Sequence, residues 1–200
     1  MKSFSASLNA CISAGVPAVA VNSHEWERIS KEISTLAESR NIEYLTWDHA
    51  DGLKMNGDIL AVPNDPVNML RKITEEQLSD CIIHFINFNQ ALKHPTIQQM
   101  LRNLLGYCKT NGITLVFTSV SGDIPPELEK EIIVIDFELP DKEAIQNIIS
   151  SLGDFEEFKL YPNLLEAAVG LTLNEAENMV ALALAKNGLQ ITPEVISEVK

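Results

Sequence analysis

The chain has 200 residues, of which 46% are hydrophobic, so it can form one full domain, or one domain with a small appendage, and is not disordered. Its net charge of −13 argues against direct binding to nucleic acid or anionic membranes, and no apolar run approaches the roughly 18 residues of a membrane span. The three cysteines, Cys11, Cys81 and Cys108, are widely separated and are expected to be reduced, mostly buried thiols of a cytoplasmic protein.

The first residues favour a short amphipathic helix, because Leu8, Ile12 and Val16 recur at helical spacing; a weak signal peptide is the alternative. Further along, short apolar segments rich in β-branched or aromatic residues have the composition of strands buried on both faces. These predicted strands are Pro17–Val21, Ile42–Trp47, Cys81–Phe88, Thr114–Val120 and Ile132–Asp136.

Helical patterns separate most of the predicted strands. In residues 23–40 the apolar stripe consists of Trp26, Ile29, Ile33 and Leu36. Asn22 and Glu25 are spaced for a capping box at the start of that helix. A second stripe, before the fourth strand, consists of Ile97, Met100, Leu101, Leu104 and Leu105. Alternation of strands with helices predicts an α/β fold: a three-layer sandwich around a five-stranded parallel sheet with right-handed crossovers.

Residues 48–66 have an irregular pattern punctuated by glycine and proline, and a plain surface loop is the favoured interpretation. The stretch follows the second strand, at the end of the sheet where α/β proteins place binding loops. Asp48, His49 and Asp51 therefore form an alternative candidate, an acid/base or cation site.

After Pro140 the strand patterns stop and helical patterns take over. The sequence divides into an α/β core, residues 1–139, and a helical appendage, residues 140–200. Asp141 and Thr192 stand at predicted helix starts, and Gly188 follows a predicted helix end. The predicted helices are Asp141–Leu152, Leu164–Val169, Leu173–Lys186 and Pro193–Lys200.

Four segments carry a resemblance to the AAA+ ATPase superfamily. IPPELEKEIIVIDFELPDKEAI (124–145) resembles the stretch that runs from a strand-four sensor through strand five into the helical lid, and GLTLNEAENMVALAL (170–184) resembles a lid helix. VAVNSHEWERI (19–29) and YLTWDHADG (44–52) are similar to the degenerate N-terminal module of a two-module AAA ATPase family of cyanobacteria and plastids. The resemblance implies a P-loop NTPase core with a lid, followed in that family by a second, intact AAA module.

The ATP-binding loop of such a core is missing. A phosphate loop requires closely spaced glycines, a lysine and a Ser or Thr, and the pattern GxxxxGK[ST] does not occur in the chain. Asn22, Ser23 and His24 stand at the matching position. A helix N-terminus attracts anions, but Glu25 and Glu27 already complement the helix dipole there and would repel phosphate.

The other ATP-handling positions implied by the resemblance are also replaced. The third strand ends in Asn87, Phe88 and Asn89 instead of an acidic pair, Thr118 and Ser119 stand at the polar sensor, and no arginine lies between Pro126 and the fifth strand. We therefore expect no catalytic, cofactor-binding or metal-binding residues, and no ATP hydrolysis by this chain alone.

The four histidines, His24, His49, His84 and His94, lack the mutual spacing of metal ligands. His84 lies within a predicted buried strand and is interpreted as a core histidine with satisfied hydrogen bonds. Trp26 and Trp47 are expected to pack in the core or between subdomains.

These observations predict a cytoplasmic, non-catalytic AAA+-like module that regulates or assembles an ATPase through protein contacts. Its expected partner is a protein, such as another AAA module in the same chain or in a different one, and an oligomer is compatible with this role. No cofactor, nucleic acid or membrane is expected. The alternatives are the N-terminal part of a longer ATP-hydrolysing AAA protein, and a small-anion or nucleotide-binding domain using Asp48–Asp51.

Overall fold

The computed structural model describes residues 3–55, 57–60, 64–121, 124–151 and 168–187. The chain divides into two compact units, Met1–Phe137 and Glu138–Lys200. None of the helices in these described ranges combines the length and the apolar character needed to cross a membrane.

The first unit is built on a seven-stranded sheet with the order β4-β3-β2-β5-β6-β1-β7. The strands are β1 (Ala18–Asn22), β2 (Glu43–Asp48), β3 (Gly52–Met55), β4 (Asp58–Ile59), β5 (Cys81–Ile86), β6 (Thr114–Ser119) and β7 (Ile133–Ile135). The helices of this unit are α1 (Phe4–Ser13), α2 (Trp26–Arg40), α3 (Pro66–Glu75), α4 (Asn89–Leu92) and α5 (Pro95–Thr110).

The five predicted strands are β1, β2, β5, β6 and β7, and they pair in parallel. The predicted five-stranded, all-parallel sheet was wrong, because β3 and β4 add antiparallel to β2 and make the sheet mixed. They lie within residues 48–66, which were expected to be an irregular loop. Strands of four and two residues are too short for alternation to be recognised, and their side chains are mostly half-buried or exposed.

The two faces of the sheet bury separate apolar layers. Along β1, Ala18 and Ala20 face one layer and Val19 and Val21 face the other, as alternation along a strand requires. The first layer holds Leu45, Trp47, Ile83, Phe85 and Phe117 with residues of α3 and α5. The second holds Phe4, Leu8, Ile29, Ile33 and Ile82, with α1 and α2. Helices on both faces of a mostly parallel sheet give the predicted α/β sandwich.

The helix α1 is present as predicted, although it ends before Val16. Arg40, near the end of α2, donates from Nη1 to Asn9 Oδ1 (2.6 Å) and Ser13 Oγ (3.1 Å) and so joins α2 to α1. The predicted stripe on α2 was partly wrong, because Trp26 is 42% exposed and Ala37 is buried in its place. Trp26 is the first residue of α2, so no preceding helical turn lies beneath its side chain.

In the second unit, α6 (Lys142–Ser151) and α7 (Leu173–Asn187) are described. Asp141 Oδ1 accepts the N–H of Ala144 (2.8 Å) and caps α6, as predicted. Thr172 and Glu175 form a reciprocal capping box at the start of α7. The predicted helix Pro193–Lys200, its cap Thr192, Gly188, and all but the last two residues of Leu164–Val169 lie outside the described residues.

Candidate functional site

The carboxyl ends of three adjacent parallel strands, β5, β6 and β1, meet at one edge of the sheet, where α/β proteins bind ligands. Backbone hydrogen bonds join the residues that follow β1 and β5 to the last two residues of β6. The N–H of Ser23 donates to Ser119 O (3.0 Å), and that of Asn87 donates to Thr118 O (2.8 Å). The structure therefore brings together three of the four positions that the sequence associates with ATP handling, namely the phosphate loop, the end of the third predicted strand and the polar sensor.

The turn between β1 and α2 is closed by Ser23, whose Oγ accepts the N–H of Glu25 at 3.1 Å. The predicted capping box of Asn22 and Glu25 was wrong. Asn22 is the last residue of β1, held in register opposite Ser119, so the helix starts later than expected, at Trp26. Glu25 is the N-cap residue, and its side chain forms no capping hydrogen bond.

Glu25 is instead a buried acid with a cationic partner. It is only 6% exposed, and its Oε2 lies 3.2 Å from Nη2 of Arg28, in the first turn of α2. The guanidinium of Arg28 lies over the ring of Phe137, 4.2 Å from its centroid, and Phe137 packs edge-on against Phe4 at 5.0 Å. An internal carboxylate therefore stands at the positive end of α2, which is the favourable place for a negative charge.

The end of β5 carries no carboxylate at residues 87–89. Asn87 is exposed with φ 56°, in the left-handed region that asparagine tolerates. Phe88 is fully buried, with ring centroids 5.3 Å from Trp47, 4.8 Å from Phe85 and 5.6 Å from Phe117. The Asn89 amide donates to Ser121 Oγ (2.8 Å), which ties the loop after β5 to the loop after β6.

The polar residue near the end of β6 faces inward. Thr118 is buried, and its Oγ1 lies 2.7 Å from Nε2 of His84. On the other side of the imidazole, Ser30 Oγ and Tyr44 Oη lie 3.2 and 3.0 Å from Nδ1. The interpretation of His84 as a hydrogen-bonded core histidine is confirmed. Thr118 is thus committed to the core, whereas Ser119 Oγ donates to the backbone of Ser121 (2.8 Å).

The hydrogen-bonded group around His84 is electrically neutral. Burial lowers the pKa of His84 to about 3. Burial also raises the pKa of Tyr44 to about 12, against a smaller opposing effect of its hydrogen bond with Ser30. Neither side chain is charged near pH 7.

The second candidate site, Asp48 to Asp51, is an ion-paired turn between β2 and β3. Asp48 Oδ1 accepts the N–H groups of Ala50 and Asp51, both at 2.8 Å. Lys54 Nζ pairs with both Asp48 and Asp51. Burial alone would raise the pKa of Asp48, but these backbone hydrogen bonds and Lys54 outweigh it and leave the pKa below its usual value. The lysine ammonium occupies the position that a cation would take.

The described residues were also compared with the requirements of a metal site and of a reactive thiol. They contain no cluster of three or more His, Cys, Asp or Glu side chains placed to hold a metal ion. Cys81 and Cys108 are buried free thiols, and burial raises the pKa of each to about 12, which leaves them protonated and inert. Cys11 is half-buried.

The group formed by Glu25, Arg28 and Phe137 was not predicted from the sequence. The spacing of Glu25 and Arg28 allows an ion pair on a helix, and that signal was available in the sequence. The third member was not, because Phe137 follows the last strand and reaches Arg28 only after β7 pairs with β1.

Comparisons with known proteins agree with this fold. A family model for the SpoVK-like AAA ATPase, N-terminal domain, matches residues 4–137. The chain is 24% identical over 183 residues to "Uncharacterized AAA domain-containing protein ycf46" of Trieres chinensis, covering 87% of this chain and 36% of that protein. The chain therefore spans about a third of the length of this curated relative.

Solved structures show the same fold at low identity. PCH-2 of C. elegans matches with a TM-score of 0.58 and 11% identity, covering 98% of this chain and 66% of that one. Domain III of the Thermotoga maritima replication initiation protein DnaA matches with a TM-score of 0.53 and 9% identity, covering 100% of this chain and 92% of that one. A chain of the HORMA:CdnC:Trip13 complex of E. coli MS115-1 matches with a TM-score of 0.54 and 10% identity, covering 91% of this chain and 72% of that one.

Proposed function

We propose that this chain, which belongs to the family of SpoVK-like AAA ATPase N-terminal domains, is a non-catalytic AAA+ module that regulates or assembles an ATPase through protein contacts. One observation carries the proposal. A buried carboxylate, Glu25 paired with Arg28, stands where the helix after β1 would otherwise receive a phosphate group.

Charge makes that position a poor site for nucleotide. At about 4 Å and an effective dielectric constant near 20, two like charges repel by about 4 kcal/mol, so a phosphate beside Glu25 would require the carboxylate to move away. Moving it would break a largely buried ion pair with Arg28. Two backbone donors of the turn, the N–H groups of Ser23 and Glu25, are already bonded to Ser119 O and Ser23 Oγ.

Magnesium would also lack its usual ligands. Octahedral magnesium is normally held by one or two carboxylates together with phosphate oxygens. At the end of β5 the chain offers two amides, Asn87 and Asn89, on either side of the buried ring of Phe88. Magnesium-ATP binding and water activation are therefore both disfavoured at this edge.

The partner we propose is another AAA module, in the same chain or in a separate one. In this proposal residues 1–139 form the core and residues 140–200 a helical lid. The net charge of −13 supports a protein partner over nucleic acid or an anionic membrane. A cytoplasmic location agrees with free cysteines at positions 11, 81 and 108.

The test of inactivity is a calorimetric titration of the chain with a slowly hydrolysed ATP analogue and magnesium, next to an ATPase assay. We expect no saturable binding at micromolar concentrations and no turnover. A micromolar dissociation constant with turnover would sink the proposal. Glu25→Gln is the informative variant, because it removes the negative charge while keeping the shape; any affinity for phosphate that it gains supports the charge argument.

The alternative, a small-anion or nucleotide-binding domain at Asp48–Asp51, is tested in the same samples. Thermal shifts are measured against nucleotides and phosphate esters in the unmodified chain and in Asp48→Ala and Asp51→Ala. A stabilisation that either substitution abolishes would favour that alternative. A flat response in all three proteins supports a module without small-molecule chemistry.

A second candidate function is the N-terminal part of a longer ATP-hydrolysing AAA protein. It is favoured by the length of the ycf46 protein of Trieres chinensis, of which the chain covers only 36%. Reading the gene beyond the codon for Lys200 tests it. An in-frame AAA core with a glycine- and lysine-containing phosphate loop would support it, and a stop codon would exclude it.

A further inference from the structure

The edge strand β7 carries exposed apolar side chains. In the described sheet it pairs only with β1, so its other side offers backbone N–H and C=O groups to a new strand. Ile133 is 45% exposed and Val134 is 50% exposed, whereas Ile135 is buried in the second apolar layer, which contains α1 and α2. Because consecutive side chains point to opposite faces of a strand, the exposure affects both faces of this edge.

Acidic residues surround this apolar edge. Between residues 127 and 136 the acidic side chains are Glu127, Glu129, Glu131 and Asp136, and the only basic one is Lys130. All four acids are exposed, and none forms an ion pair within the part of the chain that the structure describes. Glu131 and Asp136 lie two residues before Ile133 and two residues after Val134, which places negative charge near both ends of the strand.

From this arrangement we propose that β7 is a docking edge for an extended, basic segment of a partner protein, which adds to the sheet as a further strand. Main-chain hydrogen bonds provide the affinity in such strand addition, and alternate side chains provide the specificity. Apolar residues of the segment would cover Ile133 and Val134, and its Lys or Arg residues would pair with Glu131 and Asp136.

Charge also determines which partner is excluded. A second copy of this chain would bring Glu131 and Asp136 against the same acids, and like charges across a strand pair are destabilising. Acidic residues at an edge thus discourage self-association while leaving the edge open to a segment of opposite charge. The inference rests on the proposed function only in taking the partner to be a protein.

The opposite edge of the sheet provides a matched control. There Ile59 of β4 is 64% exposed, so Ile59→Lys and Val134→Lys both place a lysine on an exposed edge strand without removing core contacts. The probe is a fluorescein-labelled heptapeptide in which three central valines are flanked by two lysines at each end, so that valine can cover both Ile133 and Val134 and lysine can reach Glu131 and Asp136. Two further peptides serve as negative controls. In one, glutamate replaces every lysine; in the other, alternate backbone nitrogens are N-methylated to block strand pairing.

Fluorescence anisotropy should show saturable binding of the lysine peptide, weakened at least about tenfold by Val134→Lys and unchanged by Ile59→Lys. The glutamate and N-methylated peptides should not bind. Equal loss in both variants, retained binding of the N-methylated peptide, or no binding of the lysine peptide would each overturn the proposal. So would a dimer in sedimentation that Val134→Lys abolishes, because a second copy would then cover β7. Micromolar nucleotide binding with turnover by the unmodified chain would refute the inactive-module function but leave the peptide result standing.

Discussion

Lowering the pH should destabilise the first unit through His84, the imidazole buried between α2, β2 and β6. Folding holds its pKa at about 3, against 6.5 for an unperturbed histidine, because burial disfavours the charged form. Between these two values the unfolded chain binds a proton that the folded chain does not. Stability therefore falls as the pH drops through this window, and it is fully present above pH 6.5.

The size of the effect follows from the same two pKa values. Between pH 7 and pH 5 an unfolded histidine becomes almost fully protonated, while His84 in the folded chain takes up almost no proton. At about 1.36 kcal/mol per pKa unit, proton uptake integrated over this interval lowers the free energy of unfolding by about 2 kcal/mol. The interval also lies above the ordinary pKa values of Asp and Glu, so carboxylates contribute little to the difference.

Urea denaturation at pH 5, 6 and 7 measures the effect, with His84→Gln as the variant that lacks the titrating group. The unmodified chain should lose about 2 kcal/mol more than His84→Gln over this range. His24→Gln, which removes an exposed imidazole, is the control for losing a histidine. Equal pH dependence of the unmodified chain and His84→Gln would refute the reasoning. Nuclear magnetic resonance of ring nitrogens gives a second measurement, in which the His84 signal should not titrate between pH 7 and pH 5.

Three further predictions concern stability and are measured by urea denaturation at pH 7. Arg28→Ala should lower the free energy of unfolding by about 3 kcal/mol, because it removes the largely buried ion pair with Glu25 and the contact with Phe137. A loss below about 1 kcal/mol would contradict a stabilising pair. Gly112→Ala should lower the free energy of unfolding by about 1–2 kcal/mol, because φ is 68° at this position and the added Cβ would lie 2.7 Å from Asp80 Oδ1. An unchanged denaturation midpoint would refute this expectation. Asn87→Val should lower the free energy of unfolding by about 1–2 kcal/mol, because a β-branched residue disfavours the backbone φ of 56° at this position. The control Asn87→Gly should not destabilise the protein.

The sequence was a reliable guide wherever a pattern is local. Strands buried on both faces appear as short, continuous apolar runs, and β5 and β6 are buried along nearly their whole length. The same pattern placed His84 inside a buried strand and indicated that its polar atoms must have partners. The lack of phosphate-loop glycines and of a carboxylate after β5 also follows from residue identity alone.

Other features depend on contacts between distant residues and could not be read from the residue pattern. The β3–β4 hairpin is too short to have a periodicity of its own and forms because β2 offers an edge. The start of α2 is set by the pairing of Asn22 with Ser119, which lengthens β1 at the expense of a local capping box. The hydrogen-bond partners of His84, and the ring of Phe137 that Arg28 covers, come from separate segments of the chain. Sequence periodicity indicates only which faces are buried, whereas tertiary folding decides which side chains meet.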